Sequence, residues 1–525
     1  NRDKSDVTSV RRGHFYAYDL KGRVHIDLFH FIKNILSPQL NLEAVTLDKV
    51  SQELLGKKKI ELPYEDLIEL WKKNKTKKIA EYCLNDSKLT YELAEKILPQ
   101  IFELSKISGQ TPFDCCRSTY GLLVEWFLVR KANEMNRISP NNPTWNEIKK
   151  RRKQKPYKGG YVKEPVVGLH KDIAVFDFKS MYPSIIVSYN ISPETLNCKH
   201  GSCKKNKVPK LNHYFCKKQK GIIPIVVNEL IEKRAEMKKS NAKKEEQNAV
   251  KILANASYGY LAYPGSRWYC KECAESAAAY GRHNIKEAIK TAEKNKFKVI
   301  YGDTDSMFVK SKNIKNKSKK LLKQINKKLP GIMKLCLQGV YKSGLFVPQK
   351  LGTYTAKKRY VLLDQKNNMI IRGFEAVRRD WCDLAKDLQT KILKLVLQEN
   401  EKEAVKQVKL TIEKLKKRKI KIKNIAIRTM LGKDLSEYKS TGPHVAVAKK
   451  LKKQGYNVRA GTVISYVITE PQNDKAKKTI SQRAEPSNKT KPSDYDIDYY
   501  IKNQVLSVAL RVLSTLGYKE EDFLQ

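Results

Sequence analysis

The sequence predicts an α/β (α+β) chain of several domains, and three observations carry that reading. Its 525 residues, 41% of them hydrophobic, exceed what one apolar core organises. Short runs of strand-like alternation trade places with segments whose apolar residues return at helical spacing. A Pro-, Lys- and Arg-rich connector, "SPNNPTWNEIKKRRKQKPYKGGYV", interrupts that pattern and ends on a Gly pair that permits a tight turn.

The elements follow in chain order. "HFYAYDLKGRVHIDLFHFI" alternates as strands do, and "YEDLIELWKKNKTKKIAEYCLNDSKLTYELAEKILPQIFELS" has helical spacing, so residues 1–115 read as α/β. A domain boundary falls at the connector. Beyond it, "DIAVFDFKSMYPSIIVSYN" is an apolar strand ending on Asp177, then a short link to Pro183, a residue suited to the first turn of a helix. Residues 225–262 read as two helices joined by the polar loop "SNAKKEEQN". On the first, Leu230, Arg234 and Lys238 share a row; on the second, Lys251, Asn255 and Tyr258 share a face. One such face alone reads as solvated, but two flanking a short loop turn cations toward a shared anionic object.

"VIYGDTDSMFV", residues 299–309, reads as a β-hairpin with carboxylates at its tip. The strand "TYTAKKRYVLLD" carries Lys357, Lys358, Arg359 and Tyr360 in succession. From about residue 365 the chain reads as largely helical and Lys-rich, with "TGPHVAVAKKLKKQGYNVRAGTVISYVI" a helix leading into a strand and "AEPSNKTKPSDYD" a linker. No internal repeat is visible.

Charge narrows the partners. With 105 Lys and Arg against 55 Asp and Glu, a net charge of +50, and 27 Tyr, nucleic acid is the first partner implied. No apolar run has the length of a membrane span, and "NRDKSDVTSVRRG" lacks a signal-peptide core, so the expected location is cytoplasmic, with no membrane partner. A start without Met that enters structure at once reads as a piece of a longer polypeptide.

In so basic a chain the acids need an account. Asp in a tight turn is ordinary. Asp177, however, also ends an apolar strand, and strands lying side by side would bring Asp177, Asp303 and Asp305 into one cluster. Like charges repel unless a cation joins them, and carboxylate oxygens suit Mg²⁺. Two such ions can activate a 3′-hydroxyl and stabilise a leaving pyrophosphate. Backbone N–H groups just after Asp177 would receive a triphosphate, gripped from the opposite side by Arg234, Lys238 and Lys251.

"DFKSMYPSI", "KILANASYGY" and "YGDTDS", in this order, resemble the three polymerase motifs of the family B DNA polymerases; "YKGGYV", "KKRYVLL" and "TGPHVAVAKKL" also match. The similarity is greatest to archaeal replicative members and runs over essentially the whole chain. It implies a right-hand polymerase: a partial RNase H-like 3′–5′ exonuclease domain at 1–115, a connector at 116–139, a palm at 140–225 and 265–362, fingers at 226–264 and a thumb at 363–525. By the same resemblance Asp177 and Asp305 hold two Mg²⁺ ions, for which Mn²⁺ can substitute, with Asp303 alongside in the catalytic set. Tyr182 would lie under the incoming sugar and exclude a 2′-hydroxyl, although it also reads as a plain core aromatic beside Pro183. Arg234, Lys238, Lys251 and Asn255 would face the triphosphate of a dNTP, and Tyr258 the nascent base pair. Tyr157, Gly159, Gly160, Lys357, Lys358, Arg359 and Tyr360 would meet primer-template DNA through sequence-independent, salt-sensitive contacts.

The departures from the family pattern lie at the ends. "KGRVHIDL" and "YCLNDSKLTYEL" resemble only the later part of the exonuclease domain, where Tyr82 and Asp86 fit Tyr-x-x-x-Asp. The earlier exonuclease motifs and the uracil-sensing N-terminal domain would precede residue 1. A lone Asp86 cannot assemble a two-metal site, so no exonuclease activity is expected of this chain by itself, and a second polypeptide supplying the missing half is an implied partner. The clamp-binding tail would follow "YKEEDFLQ", which leaves a sliding clamp open as a partner. DNA-templated DNA synthesis is the leading reading. A catalytically silent relative that binds DNA or serves as a structural subunit is the alternative, and an RNA polymerase or reverse transcriptase is disfavoured by Tyr182.

The cysteines offer two further readings. Cys198, Cys203, His213 and Cys216 have the spacing of a zinc knuckle, and Cys270 with Cys273 forms a C-x-x-C. The resemblance favours disulfides or free thiols at Cys203, Cys216, Cys270 and Cys273, because relatives from hot habitats carry intracellular disulfides there. Cys115 and Cys116 read as buried small residues.

Overall fold

The structure, a computed structural model, describes residues 7–12, 15–40, 42, 45–60, 62, 64–348, 355–378, 380–471 and 479–524. Two compact units make up the chain. The first comprises Asn1–Gly160, Phe178–Lys286 and Asn326–Lys334, the second Tyr161–Asp177, Glu287–Ile325 and Leu335–Gln525.

The first unit is largely helical. It opens on an antiparallel hairpin of β1 (Val7–Arg12) and β2 (Phe15–Leu20). Its main helices are α1 (Thr76–Ser108), α2 (Met181–Ser188), α3 (Ile222–Lys239), α4 (Lys244–Ala262) and most of α5 (Lys271–Lys294). Small and apolar side chains of α4, among them Ala249, Val250, Leu253 and Ala254, are buried, and the helix packs against α1, α2 and α3. The loop expected through Asn248 is shorter than the sequence suggested, since α4 already begins at Lys244. Glu245 and Glu246 occupy its first turn, where a helix dipole favours carboxylates, so a segment polar by composition is a helix start.

The second unit is built on a seven-stranded sheet in the order β3-β5-β6-β4-β7-β8-β9. Its strands are β3 (Val162–Lys163), β4 (Gly168–Phe178, in this unit through Asp177), β5 (Lys298–Asp303), β6 (Ser306–Lys310), β7 (Leu335–Pro348), β8 (Thr355–Asp364) and β9 (Met369–Arg372). Ile173 to Phe176 of β4 are all buried, which accounts for a continuous apolar run in place of alternation. Tyr301, Phe308 and Phe346 fill the core beside the hairpin, with Tyr360 packed against them.

C-terminal to the sheet, α6 (Asp383–Leu397) and α7 (Glu401–Lys416) pack together. The rest was expected to be largely helical, yet it also contains an antiparallel sheet of β10 (Ile427–Met430), β11 (Val463–Ile468) and β12 (Ala484–Pro486). Helix α8 (Pro443–Lys453) covers β11 and β12. The start of the expected linker is therefore a strand. Pro486 is tolerated there because β12 lies at the edge of the sheet. Among the described residues no helix is long and apolar enough to cross a membrane.

Candidate active site

In the second unit, strand register gathers the carboxylates. Ser306 of β6 pairs with Asp177 on one side and with Asp303 on the other. Residues directly opposite one another in antiparallel strands project from the same face, so Asp177 and Asp303 share a face, one strand apart on either side of Ser306. Asp305 immediately precedes Ser306, in the two-residue turn. A register shift between Val299 and Tyr301 bulges β5 just before this tip, and bulges re-aim the side chains that follow.

The turn is tightly held. Thr304 takes a left-handed φ of 57°, unusual for a β-branched residue, and its N–H donates to the Tyr161 carbonyl at 2.8 Å. Its hydroxyl donates to Asp303 Oδ1 at 3.1 Å, while the Asp305 N–H reaches the Asp303 carbonyl at 2.6 Å. Lys358 Nζ stands 3.6 Å from Asp303 Oδ2. Burial pushes the Asp305 carboxyl above its ordinary value, and the Asp303 charge adds to this against the pull of Lys358. Hard carboxylate oxygens gathered at one hairpin tip are a chemical fit for Mg²⁺.

The first unit holds a cationic cavity. Five cations line it, namely Lys179, Arg234, Lys238, Lys251 and Lys334, together with Ser180 and several apolar groups but no carboxylate among the described residues. Along α3, Leu230 is buried, Arg234 half-buried and Lys238 exposed, so the row runs from the core out to solvent. Burial holds the Arg234 guanidinium below its ordinary value, and its Nε is buried with no hydrogen-bond partner among the described residues. A cavity lined by five cations and no carboxylate among the described residues suits an anion. Ser180, the N-cap of α2, adopts a left-handed backbone with φ 47°.

Three of the expected nucleotide-binding residues, Arg234, Lys238 and Lys251, thus meet in one cavity. Asn255 lies exposed on α4, outside its lining. Tyr182 and Tyr258 pair instead with each other, their rings stacked at 4.0 Å and 8°, and the Tyr258 hydroxyl lies 3.1 Å from that of Tyr157. Sequence reasoning missed Lys179 and Lys334. The Lys179 N–H donates to the Lys334 carbonyl at 2.9 Å, and only the position of Lys179 directly after "DF" offered a signal.

The remaining site residues divide by environment. Gly159 accepts from Arg282 Nη1 at 2.8 Å; Gly160 closes the first segment of its unit. Lys357 and Lys358 are exposed, whereas Arg359 is tied to Glu375 at 3.5 Å and to the Gly373 carbonyl at 3.0 Å, and Tyr360 packs into the aromatic core. On α1, Asp86 pairs with Lys59 at 2.7 Å, and the same lysine lies 4.6 Å from the ring centroid of Tyr82. Cys203, Cys216, Cys270 and Cys273 are free thiols, and Cys115 and Cys116 are buried. In the zinc-knuckle grouping His200, not the expected His213, joins Cys198, Cys203 and Cys216, because the turn at 201–205 folds His200 back onto the sulfurs.

Comparison with known proteins supplies the family. The family model for DNA polymerase family B matches residues 117–516. The DNA polymerase of Thermococcus gorgonarius is 40% identical over 541 residues, covering 99% of this chain and 67% of that protein. That of Pyrococcus glycovorans is 41% identical over 539 residues, with the same 99% and 67% shares. Among solved structures, the family B DNA polymerase from the hyperthermophilic archaeon Pyrobaculum calidifontis is similar at a TM-score of 0.70 and 34% identity, over 96% of this chain and 65% of that one. The chain thus spans about two thirds of the length of these relatives. It belongs to DNA polymerase family B and is a DNA-directed DNA polymerase of the archaeal type.

Proposed function

We propose that the chain extends a primer 3′-end by templated nucleotidyl transfer, using dNTPs and primer-template DNA, with Asp177 and Asp305 as ligands of two Mg²⁺ ions and Asp303 beside them. Ions so held, with Mn²⁺ as a substitute, would lower the pKa of the attacking hydroxyl and offset the charge of the leaving pyrophosphate. The observation that carries this reading is the register that sets Asp177 and Asp303 on either side of Ser306, next to Asp305, in a chain of net charge +50.

Arg234, Lys238 and Lys251 bind the triphosphate by charge-assisted hydrogen bonds, with Arg234 Nε finding in it the acceptor it otherwise lacks. Asn255 supports the same group from the exposed face of α4. Tyr182, held flat against Tyr258, is too rigid to yield to a 2′-hydroxyl. Exposed Lys357 and Lys358, together with the Lys-rich helices from 363 onward, hold backbone phosphates. Palm (140–225 and 265–362), fingers (226–264) and thumb (363–525) are the corresponding domains, and the cytoplasm is the expected compartment.

Proofreading is not proposed for these 525 residues alone, because Asp86, paired with Lys59, is the one carboxylate among them that fits the exonuclease motifs, and a lone carboxylate cannot assemble a two-metal site. The other exonuclease carboxylates would have to come from outside these 525 residues. Primer extension on a recessed template with Mg²⁺ and four dNTPs, beside Asp305→Ala, tests the polymerase reading. Templated extension that the substitution abolishes is expected. Salt-sensitive primer-template binding without extension would favour the silent binding subunit.

A further inference from the structure

We propose that Cys198, His200, Cys203 and Cys216 form a structural zinc site. Their four ligand atoms all lie within 4.8 Å of one another, and Cys216 Sγ stands 3.3 Å from His200 Nδ1. A tetrahedral zinc with Zn–S bonds of about 2.3 Å sets its ligand atoms roughly 3.8 Å apart, so shifts of about 1 Å or less, inward for the widest pairs and outward for Cys216 and His200, close the site. Three sulfurs and one imidazole are the donor set that selects zinc over hard cations.

The surroundings support thiolates. Backbone N–H groups point at the sulfurs, from Lys217 to Cys203 Sγ and from Gln219 to Cys216 Sγ, each at 3.4 Å. Such donors stabilise thiolate ligands and fix their orientation. Eight lysines between residues 199 and 220 offset the negative charge that three thiolates leave on a bound zinc. A Cys203–Cys216 disulfide, by contrast, gives no role to Cys198 and His200, which converge on the same point.

The loop is tied to the helix that follows it. Asn190 donates to the Cys216 and Gln219 carbonyls, each at 2.7 Å, and accepts from the Gly221 N–H at 3.0 Å, one residue before α3 begins at Ile222. Zinc here clamps the connection between α2, which carries Tyr182, and α3, which carries Arg234. Because zinc binding and the order of such a loop are linked, metal loss also loosens the start of α3.

The test is the metal content of the full chain, purified in reducing buffer without added metal. About one zinc per chain is expected, released on titration of the thiols with an organomercurial. His200→Ala and Cys198→Ser should bring zinc below about a tenth of an equivalent after dialysis, while His213→Ala and Cys270→Ser retain it. If the first two variants do not fold, Co²⁺ substitution in the unaltered chain decides the matter through the thiolate-to-metal absorption of a tetrahedral site. A chain with no zinc and no such band, a Cys203–Cys216 disulfide in non-reduced peptides, or zinc kept by His200→Ala and lost by His213→Ala would each overturn the proposal.

Discussion

Two regions of the molecule handle charge by opposite means. In the second unit, Asp177 and Asp303 sit on short side chains whose positions are set by backbone pairing through Ser306. In the first unit, Arg234, Lys238 and Lys251 sit at the ends of long side chains on two helix faces. Carboxylates fixed by strand register have no rotamer with which to replace a lost neighbour, whereas long cationic side chains can partly cover for one another. The acidic site should therefore fail all at once and the cationic one by degrees.

The largest effect tests that contrast directly. Asp305→Asn or Asp177→Asn should lower the rate of single-nucleotide extension by at least about 10³-fold, because a lost metal ligand removes several kcal/mol of transition-state stabilisation. Primer-template affinity, read by anisotropy, should be unchanged within about two-fold. A variant that keeps a tenth of the rate would break the comparison, since the acids would then be no less forgiving than the bases.

Within the cationic cavity the effects should be graded by burial. Arg234→Ala removes a half-buried guanidinium and should lower kcat/KM for dNTP about 10- to 100-fold, the range expected for a charge-assisted hydrogen bond. Lys238→Ala, at an exposed position, should lower it less than about 10-fold. Equal losses measured by steady-state kinetics would show that burial does not rank these residues.

The contrast also governs what the sequence disclosed. The hairpin tip was legible because runs of apolar, β-branched and aromatic residues flank the turn that carries Asp303 and Asp305, and Asp177 closes another apolar run. Which residue lies between them was not, since pairing partners more than a hundred residues apart leave no local trace. Helical spacing brought Arg234 and Lys238 together, but it could not reveal Lys334, whose carbonyl meets Lys179 across the fold. Of the face read from Lys251, Asn255 and Tyr258, Lys251 lines the cavity, Asn255 lies outside it and Tyr258 stacks on Tyr182. Likewise the zinc-knuckle spacing named His213 where a tight turn presents His200. Beyond residue 365 the strand in "VISYVI" was legible as β11, whereas its partners β10 and β12 are too short to show a period.

The tyrosine pair matches the half-buried end of the cationic cavity in magnitude. Tyr182→Val should relax discrimination against ribonucleotides about 10- to 100-fold, measured as the ratio of kcat/KM for dNTP and rNTP. Tyr258→Phe, which keeps the stacked ring but loses the hydroxyl facing Tyr157, should leave that ratio within about three-fold. If both variants relax it equally, the hydrogen-bonded chain and not the bulk of Tyr182 sets the selectivity.

The smallest effect has the opposite sign to the first and comes from the same residue. Burial and the neighbouring Asp303 raise the Asp305 carboxyl above its ordinary value of 3.8, so the folded chain without metal binds a proton there more tightly than the unfolded chain does. Stability from this group is present below pH 3.8 and declines as pH climbs through the raised folded value, and at neutral pH the ionised Asp305 opposes folding. Asp305→Asn removes that opposition. Without divalent metal at pH 7, the transition of the second unit should move up by about 2 °C, and adding Mg²⁺ should raise the unaltered chain while leaving the variant behind. A melting temperature that falls on Asp305→Asn without metal would mean that the carboxylate is already compensated by Lys358, and that the acidic face is not the strained feature its register and burial describe.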